Sequence, residues 1–122
     1  MRRYALLAIL SGLVVLATGT ADAYAHAYLD RAEPRVGSTV ATAPRTLSLH
    51  FTQNIEPALS TIEVRNAAGD RVDQGRPHAG GSRTVLQVGL KSLPPGSYQV
   101  HWRVLSADTH TTEGSFSFQV GR

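Results

Sequence analysis

Histidine is the residue type on which most of the chemistry of this chain would have to depend. The 122 residues contain five histidines and no cysteine, so thiolate chemistry and disulfides are both excluded. The histidines are His26, His50, His78, His101 and His110. The sequence has no nucleophile elbow, no phosphate-binding glycine loop and no helical HExxH motif. Metal binding by imidazole is therefore the first chemistry to consider.

His26 directly follows a stretch that has the layout of a secretory signal peptide. Arg2 and Arg3 precede an apolar run over residues 4–17, and small residues follow it. The apolar run is shorter than the roughly 20 residues that a membrane-spanning helix needs. We therefore predict that residues 1–25 are a cleaved signal peptide and that residues 26–122 form the mature domain.

The site of cleavage decides what His26 could do. A cut after Ala25 makes His26 the amino terminus, and its free α-amine and its imidazole could then chelate one metal ion. A cut after Ala23 is also compatible with an A-x-A pattern and would leave Tyr24 and Ala25 ahead of the histidine. The residues around the two cuts favour neither.

Asp108 and His110 form the second group of interest, within SADTHTTEG (residues 106–114). On an extended backbone, residues two apart point to the same face, about 6 to 7 Å apart at Cα. The alternative is a turn in which Asp108 caps backbone N–H groups and His110 is only exposed. Together with His26, this pair would give a nitrogen-rich donor set with one carboxylate, which suits the tetragonal geometry of Cu(II).

The remaining sequence predicts a small all-β domain, either a Greek-key β-barrel or an immunoglobulin-like β-sandwich of about seven strands. Short runs alternate between apolar and polar residues and are separated by Gly, Pro, Asn and Asp. Residues 70–82, rich in Gly, Pro and charge, are predicted to be a long exposed loop. The net charge of +3 is too small and too scattered to indicate nucleic-acid binding. The residues predicted to face the core are Leu47, Leu49, Phe51, Ile62, Val64, Leu86, Val88, Leu90, Tyr98, Val100, Trp102, Val104, Phe116, Phe118 and Val120.

HAYLDRAEPRVGS (residues 26–38) and YQVHWRVLSADTHTTEGSFSFQV (residues 98–120) closely resemble the CopC family of periplasmic copper-binding proteins. The resemblance covers nearly the whole mature chain and favours cleavage after Ala25. It implies a small Greek-key β-barrel that holds one Cu(II) per chain through His26, Asp108 and His110.

The same resemblance implies a periplasmic carrier or buffer in copper uptake or resistance, with no catalytic activity. It also implies an inner-membrane copper transport protein of the CopD type as a partner. We expect a monomer that binds no nucleic acid.

This sequence departs from the family pattern at two places. Some members bind Cu(I) through methionine thioethers and a histidine in a mid-chain loop, whereas the sole methionine here is Met1 and residues 70–82 offer only His78. We therefore expect a protein that binds only Cu(II). Relatives often carry Glu just outside the metal ligands, where this chain has Gln53, with Glu56 three residues later.

Two other functions are compatible with the same residues. One is an oxidative copper enzyme in which the amino-terminal histidine and a second histidine hold the copper ion as a histidine brace. The sequence argues against this function, because it has no row of exposed aromatic residues that would form a sugar-binding face. The other is an immunoglobulin-like interaction domain that binds no metal, in which His26 and the Asp108–His110 pair have no function. His50 and His101 are predicted in any case to be ordinary polar-face residues of strands. Copper should change the stability of the folded protein only if a metal site exists.

Overall fold

The computed structural model describes residues 26–121, which fold into two four-stranded β-sheets. The predicted signal peptide and Arg122 lie outside the described residues. Within residues 26–121, no helix is long and apolar enough to cross a membrane. The strands are β1 (Leu29–Glu33), β2 (Thr39–Val40), β3 (Thr46–Phe51), β4 (Thr61–Asn66), β5 (Asp73–Ala79), β6 (Val85–Leu90), β7 (Gly96–Leu105) and β8 (Thr111–Val120), and a short 3₁₀ turn (Pro57–Leu59) precedes β4.

The strand order is β1-β3-β6-β5 in one sheet and β2-β8-β7-β4 in the other. Neighbouring strands are antiparallel except β2, which runs parallel to β8. The hairpin of β7 and β8 is the longest element, paired without a bulge from Gly96 opposite Val120 to Leu105 opposite Thr111. This regular hairpin fixes the position of the turn at its end, residues 106–110.

The core lies between the sheets and contains every residue that the alternation predicted to face inward. Alternation works here because each of these strands has one face on the core and one face in water. Trp102 of β7 packs edge-on against Phe51 of β3, with ring centroids 5.2 Å apart, and so joins the two sheets. The all-β prediction is confirmed.

The prediction of a long exposed loop over residues 70–82 is wrong. Residues 73–79 form β5, which pairs with β6 at the edge of its sheet and has a register shift between Gln74 and His78. The strand was missed because its residues are exposed or half-buried, so no apolar alternation marks it. Gly75 in this stretch has a φ of 79°, and Pro77 is tolerated because edge strands and bulges accept proline. The fold therefore has eight strands, where about seven were expected.

A buried carboxylate links β5 to β4. Asp73, whose side chain is only 5% exposed, accepts hydrogen bonds from the Val64 backbone N–H at 2.8 Å and from two Arg71 nitrogens at 2.7 Å. Burial by itself would raise the pKa of Asp73, but the hydrogen bonds from Arg71 and Val64 together outweigh it and lower the pKa. The carboxylate thus remains ionised and ties the edges of the two sheets together.

Candidate metal centre

Asp108 and His110 lie in the tight turn that joins β7 to β8. The turn is closed by two main-chain hydrogen bonds of 2.9 Å, from Ser106 N–H to the His110 carbonyl and from Thr109 N–H to the Ser106 carbonyl. Thr109 has a φ of 72°, a left-handed conformation that is strained for a β-branched residue. Of the two conformations that the sequence left open, the structure has the turn and not the extended strand, and the turn brings Asp108 Oδ1 to 3.4 Å from His110 Nδ1.

The hydroxyl of Ser106 contacts both residues of this pair. It donates a short hydrogen bond to Asp108 Oδ1 and lies 3.0 Å from the His110 carbonyl oxygen. The hydrogen bond from Ser106 lowers the pKa of Asp108; partial desolvation acts against it, and His110 lowers that pKa further through hydrogen bonding and charge. Asp108 is thus held as an anion beside the His110 ring.

The amino-terminal segment of the described chain is anchored beside this turn. Ala27 is fully buried, and its carbonyl accepts a 2.7 Å hydrogen bond from the Thr112 hydroxyl of β8. The Tyr28 N–H donates to the Thr52 hydroxyl at 3.0 Å, and the Tyr28 carbonyl accepts from the Thr52 N–H at 2.9 Å. These contacts fix the two residues after His26 and therefore restrict where its side chain can lie.

The anchored segment places the His26 ring against the His110 ring. Their centroids are 4.8 Å apart with an interplanar angle of 76°. The ring of Tyr28, an exposed residue, is 6.2 Å from the His26 ring. His26 Nδ1 is buried and has no hydrogen-bond partner, which is costly for an imidazole nitrogen unless another ligand satisfies it.

The donors present at this place fit a cation. Two imidazoles and one carboxylate approach one another, and one imidazole nitrogen lacks a partner. Among the residues that the structure describes, no group of three or more His, Cys, Asp or Glu side chains is placed so that it could hold a metal ion. The fourth donor of the predicted set is the α-amine of His26. In the full-length chain this α-nitrogen is a peptide nitrogen, so the amine would exist only after cleavage directly before His26. The structure thus brings His26 to His110 and Asp108 to His110, and a metal ion shared by all three residues stays a prediction.

Gln53 and Glu56, predicted to lie just outside the ligands, are found at the same end of the barrel. Gln53 is half-buried and directly follows Thr52, which anchors the amino-terminal segment. The Glu56 N–H donates to the Leu105 carbonyl at 2.9 Å, and its carboxylate lies 3.9 Å from Arg83. Their influence on a bound ion stays a prediction.

The other three histidines have separate surroundings. His50 Nε2 lies 3.5 Å from Glu33 on the sheet that contains β3. His101 Nδ1 lies 3.0 Å from the Ser115 hydroxyl, and its Nε2 lies 3.5 Å from Glu113. His78 is exposed on β5, opposite Gln87. These contacts fit the ordinary polar-face role that was expected for His50 and His101.

Sequence reasoning gave no role to two hydroxyl residues that contact this region, Thr52 and Ser106. Ser106 had a signal that could have identified it, because it lies two residues before Asp108 in the repeated spacing S-x-D-x-H. Thr52 gave no such signal, since its partner Tyr28 is distant in the chain. Thr112 is consistent with the sequence-based expectation that the threonines of this segment shape the loop, and its hydroxyl contacts the Ala27 carbonyl.

Comparison with known proteins identifies the family of this chain. The family model described as the CopC domain matches residues 29–121. The chain belongs to the CopC family. It is 34% identical to Copper resistance protein C of Xanthomonas campestris pv. juglandis, over 88% of this chain and 90% of that protein. It is 32% identical to the Copper transport protein CutJ of Bacillus subtilis over 81% of this chain, but the chain spans only 19% of that relative's length.

Solved structures show the same fold. CopC from Methylosinus trichosporium OB3b superposes with a TM-score of 0.70 at 33% identity, over 79% of this chain and 94% of the other. PcoC, a methionine-rich copper resistance protein from Escherichia coli, gives a TM-score of 0.70 at 28% identity, over 78% and 98% of the two chains. The resemblance inferred from the sequence motifs is confirmed.

Proposed function

We propose that this CopC-family protein is a periplasmic carrier or buffer that holds one Cu(II) ion as its cargo. His26, as the mature amino terminus, would supply its α-amine and imidazole, and His110 and Asp108 would supply a second imidazole and a carboxylate. This donor set suits tetragonal Cu(II), which also heads the affinity order of the divalent ions. The observation that most supports this proposal is that the ring centroids of His26 and His110 are 4.8 Å apart. In addition, His26 Nδ1 is buried and has no hydrogen-bond partner.

A preference for Cu(II) over Cu(I) is part of this proposal. Cu(I) favours thioether and thiolate ligands, and the chain has no cysteine and only Met1 as a methionine. PcoC, which shares the fold, is by contrast described as methionine-rich. We expect a strong Cu(I) chelator to remove all copper after reduction of the loaded protein.

A carrier is favoured over an oxidative copper enzyme by the surface around the site. In residues 26–121, Tyr28 is the one exposed member of the Phe, Trp and Tyr side chains, so an extended aromatic platform for a polymer is missing from this part. Asp108 would also occupy a coordination position on the copper ion that an oxygen-activating enzyme needs open. The similarity to CutJ, a copper transport protein, supports delivery to an inner-membrane partner of the CopD type.

Copper titration of variants tests the proposal. His26→Ala, Asp108→Ala and His110→Ala should each weaken Cu(II) binding by at least about tenfold, since each removes a ligand. His101→Ala is the matched control, because His101 lies on β7 of the same hairpin but contacts Ser115 and Glu113. Equal affinity for the native protein and His110→Ala would refute the assignment.

A further inference from the structure

We propose that Ser106 is a positioning residue of the copper site, which sets the direction of the Asp108 carboxylate relative to the His110 ring. The inference rests on the proposed function, because it concerns the same ion. Its basis is that the Ser106 hydroxyl belongs to a fully buried residue and lies within hydrogen-bond distance of two of the candidate ligand residues, Asp108 and His110.

The turn does not need this hydroxyl in order to close. The Ser106 N–H already bonds the His110 carbonyl, and the Ser106 carbonyl already accepts from Thr109. A bridge between Ile55 and Ser106 further holds the backbone in place. The Ser106 hydroxyl can therefore donate its hydrogen bond to Asp108, because a carboxylate is a stronger acceptor than a neutral carbonyl such as that of His110.

Comparison with Ser60 shows why the contact is specific. Ser60 is, like Ser106, a buried serine of the described chain. The Ser60 hydroxyl contacts only backbone, donating to the Glu56 carbonyl at 2.8 Å and accepting from the Leu105 N–H at 3.1 Å. The Ser106 hydroxyl instead reaches a side chain, and that side chain is a candidate ligand.

The consequence for binding is a carboxylate that is oriented before the ion arrives. Because Ser106 is hydrogen-bonded to Oδ1, one oxygen of the Asp108 carboxylate is anchored, and Oδ2 would be the oxygen that binds the ion. Without the hydroxyl, the exposed carboxylate would rotate freely and lose that freedom on binding. Groups that orient metal ligands from outside contribute about 10- to 100-fold in affinity.

The test compares Ser106→Ala with Ser60→Ala in the mature protein. Cu(II) affinity is measured by competition with a chelator, the copper environment by electron paramagnetic resonance, and folding of each metal-free variant by urea unfolding. We expect Ser106→Ala to raise the Kd for Cu(II) about 10- to 100-fold and to alter the spectrum. Ser60→Ala should lower stability and leave the spectrum unchanged.

Testing Ser106→Ala in the Asp108→Ala variant distinguishes a positioning role of Ser106 from a general loss of structure. In Asp108→Ala the carboxylate is gone, so adding Ser106→Ala should change the Kd by less than about threefold. Ser106→Thr, which keeps a hydroxyl, should retain the native spectrum. The inference is overturned if Ser106→Ala binds like the native protein, or weakens binding equally in both backgrounds. If the native protein itself binds no Cu(II), the proposed function has failed instead.

Discussion

The imidazole rings of His26 and His110 lie 4.8 Å apart, although one residue begins the described chain and the other follows the seventh of eight strands. Two anchors produce this approach. The β7–β8 hairpin fixes His110, and hydroxyl contacts from Thr52 and Thr112 fix the segment after His26. The proposed copper site depends on the mature chain beginning at His26, because the α-amine of that residue is one of its donors.

An added amino-terminal residue should therefore damage the site. A single glycine placed ahead of His26 in the mature protein keeps every side chain but converts the α-amine donor of the histidine into an amide. We expect the Cu(II) affinity to fall by at least about tenfold in a chelator competition, because the chelate is lost. A glycine added at the carboxyl terminus is the control. Equal affinity for both extended proteins would argue against the amine ligand.

Copper should stabilise the mature protein in a pH-dependent way. An ion that binds only the folded state at 100 times its Kd adds about 2.7 kcal/mol to the free energy of unfolding. Imidazoles must be neutral to bind the ion, so this gain should disappear below about pH 6. Thermal unfolding with and without Cu(II) at pH 7.5 and pH 5 measures the effect. A copper-induced shift in Tm that is as large at pH 5 would contradict histidine ligation.

Asp73 should contribute to stability with a definite pH dependence that is unrelated to copper. Its pKa is lowered in the folded state, so its contribution is complete above the ordinary value of 3.8 and is lost as the pH falls through the folded value. We expect Asp73→Asn to lower the free energy of unfolding by about 2 kcal/mol at pH 7. Urea unfolding should show this difference shrinking below pH 3.8.

The exposed Asp30→Asn is the matched control for that experiment, since it removes a carboxylate that lies at the surface of β1. It should leave the free energy of unfolding unchanged within about 0.5 kcal/mol. A cost for Asp73→Asn that is the same at pH 7 and pH 2 would mean that the ionised carboxylate is not the stabilising form.

Gly114 is required by the packing of Trp102. A Cβ atom at residue 114 would lie 2.6 Å from Trp102 Cζ2, closer than real contacts allow, and the indole is held in the core. We expect Gly114→Ala to lower the free energy of unfolding by about 1 to 3 kcal/mol and to change the tryptophan fluorescence. Gly121→Ala is the control, because its Cβ would meet Thr39 at an ordinary 3.4 Å. An equal cost at both positions would show that the indole contact is not the reason.

The core and the fold class follow from the sequence because most strands have one buried face. Alternation in β3, β4, β6, β7 and β8 therefore carries a clear signal. The edge strand β5 carries none, since nothing buries its side chains continuously. Residues 73–79 were consequently mistaken for a loop.

Residue type, spacing and family resemblance were enough to identify the candidate ligands. They were not enough to predict the distances and backbone conformation that relate those residues. The spacing predicted that Asp108 and His110 lie close together and left a turn open as an alternative, but it did not predict the left-handed conformation of Thr109 in that turn. The contribution of Ser106 depends on its burial and on the direction of one hydroxyl. Such details are set by tertiary contacts and not by local sequence.

Copper binding at a mature amino terminus can be tested by the intact mass of the exported protein, measured under gentle conditions with and without one equivalent of Cu(II). We expect a chain that starts at His26 and gains the mass of a single copper ion. A chain that starts at Tyr24, or one that starts at His26 and retains no copper, would contradict this expectation.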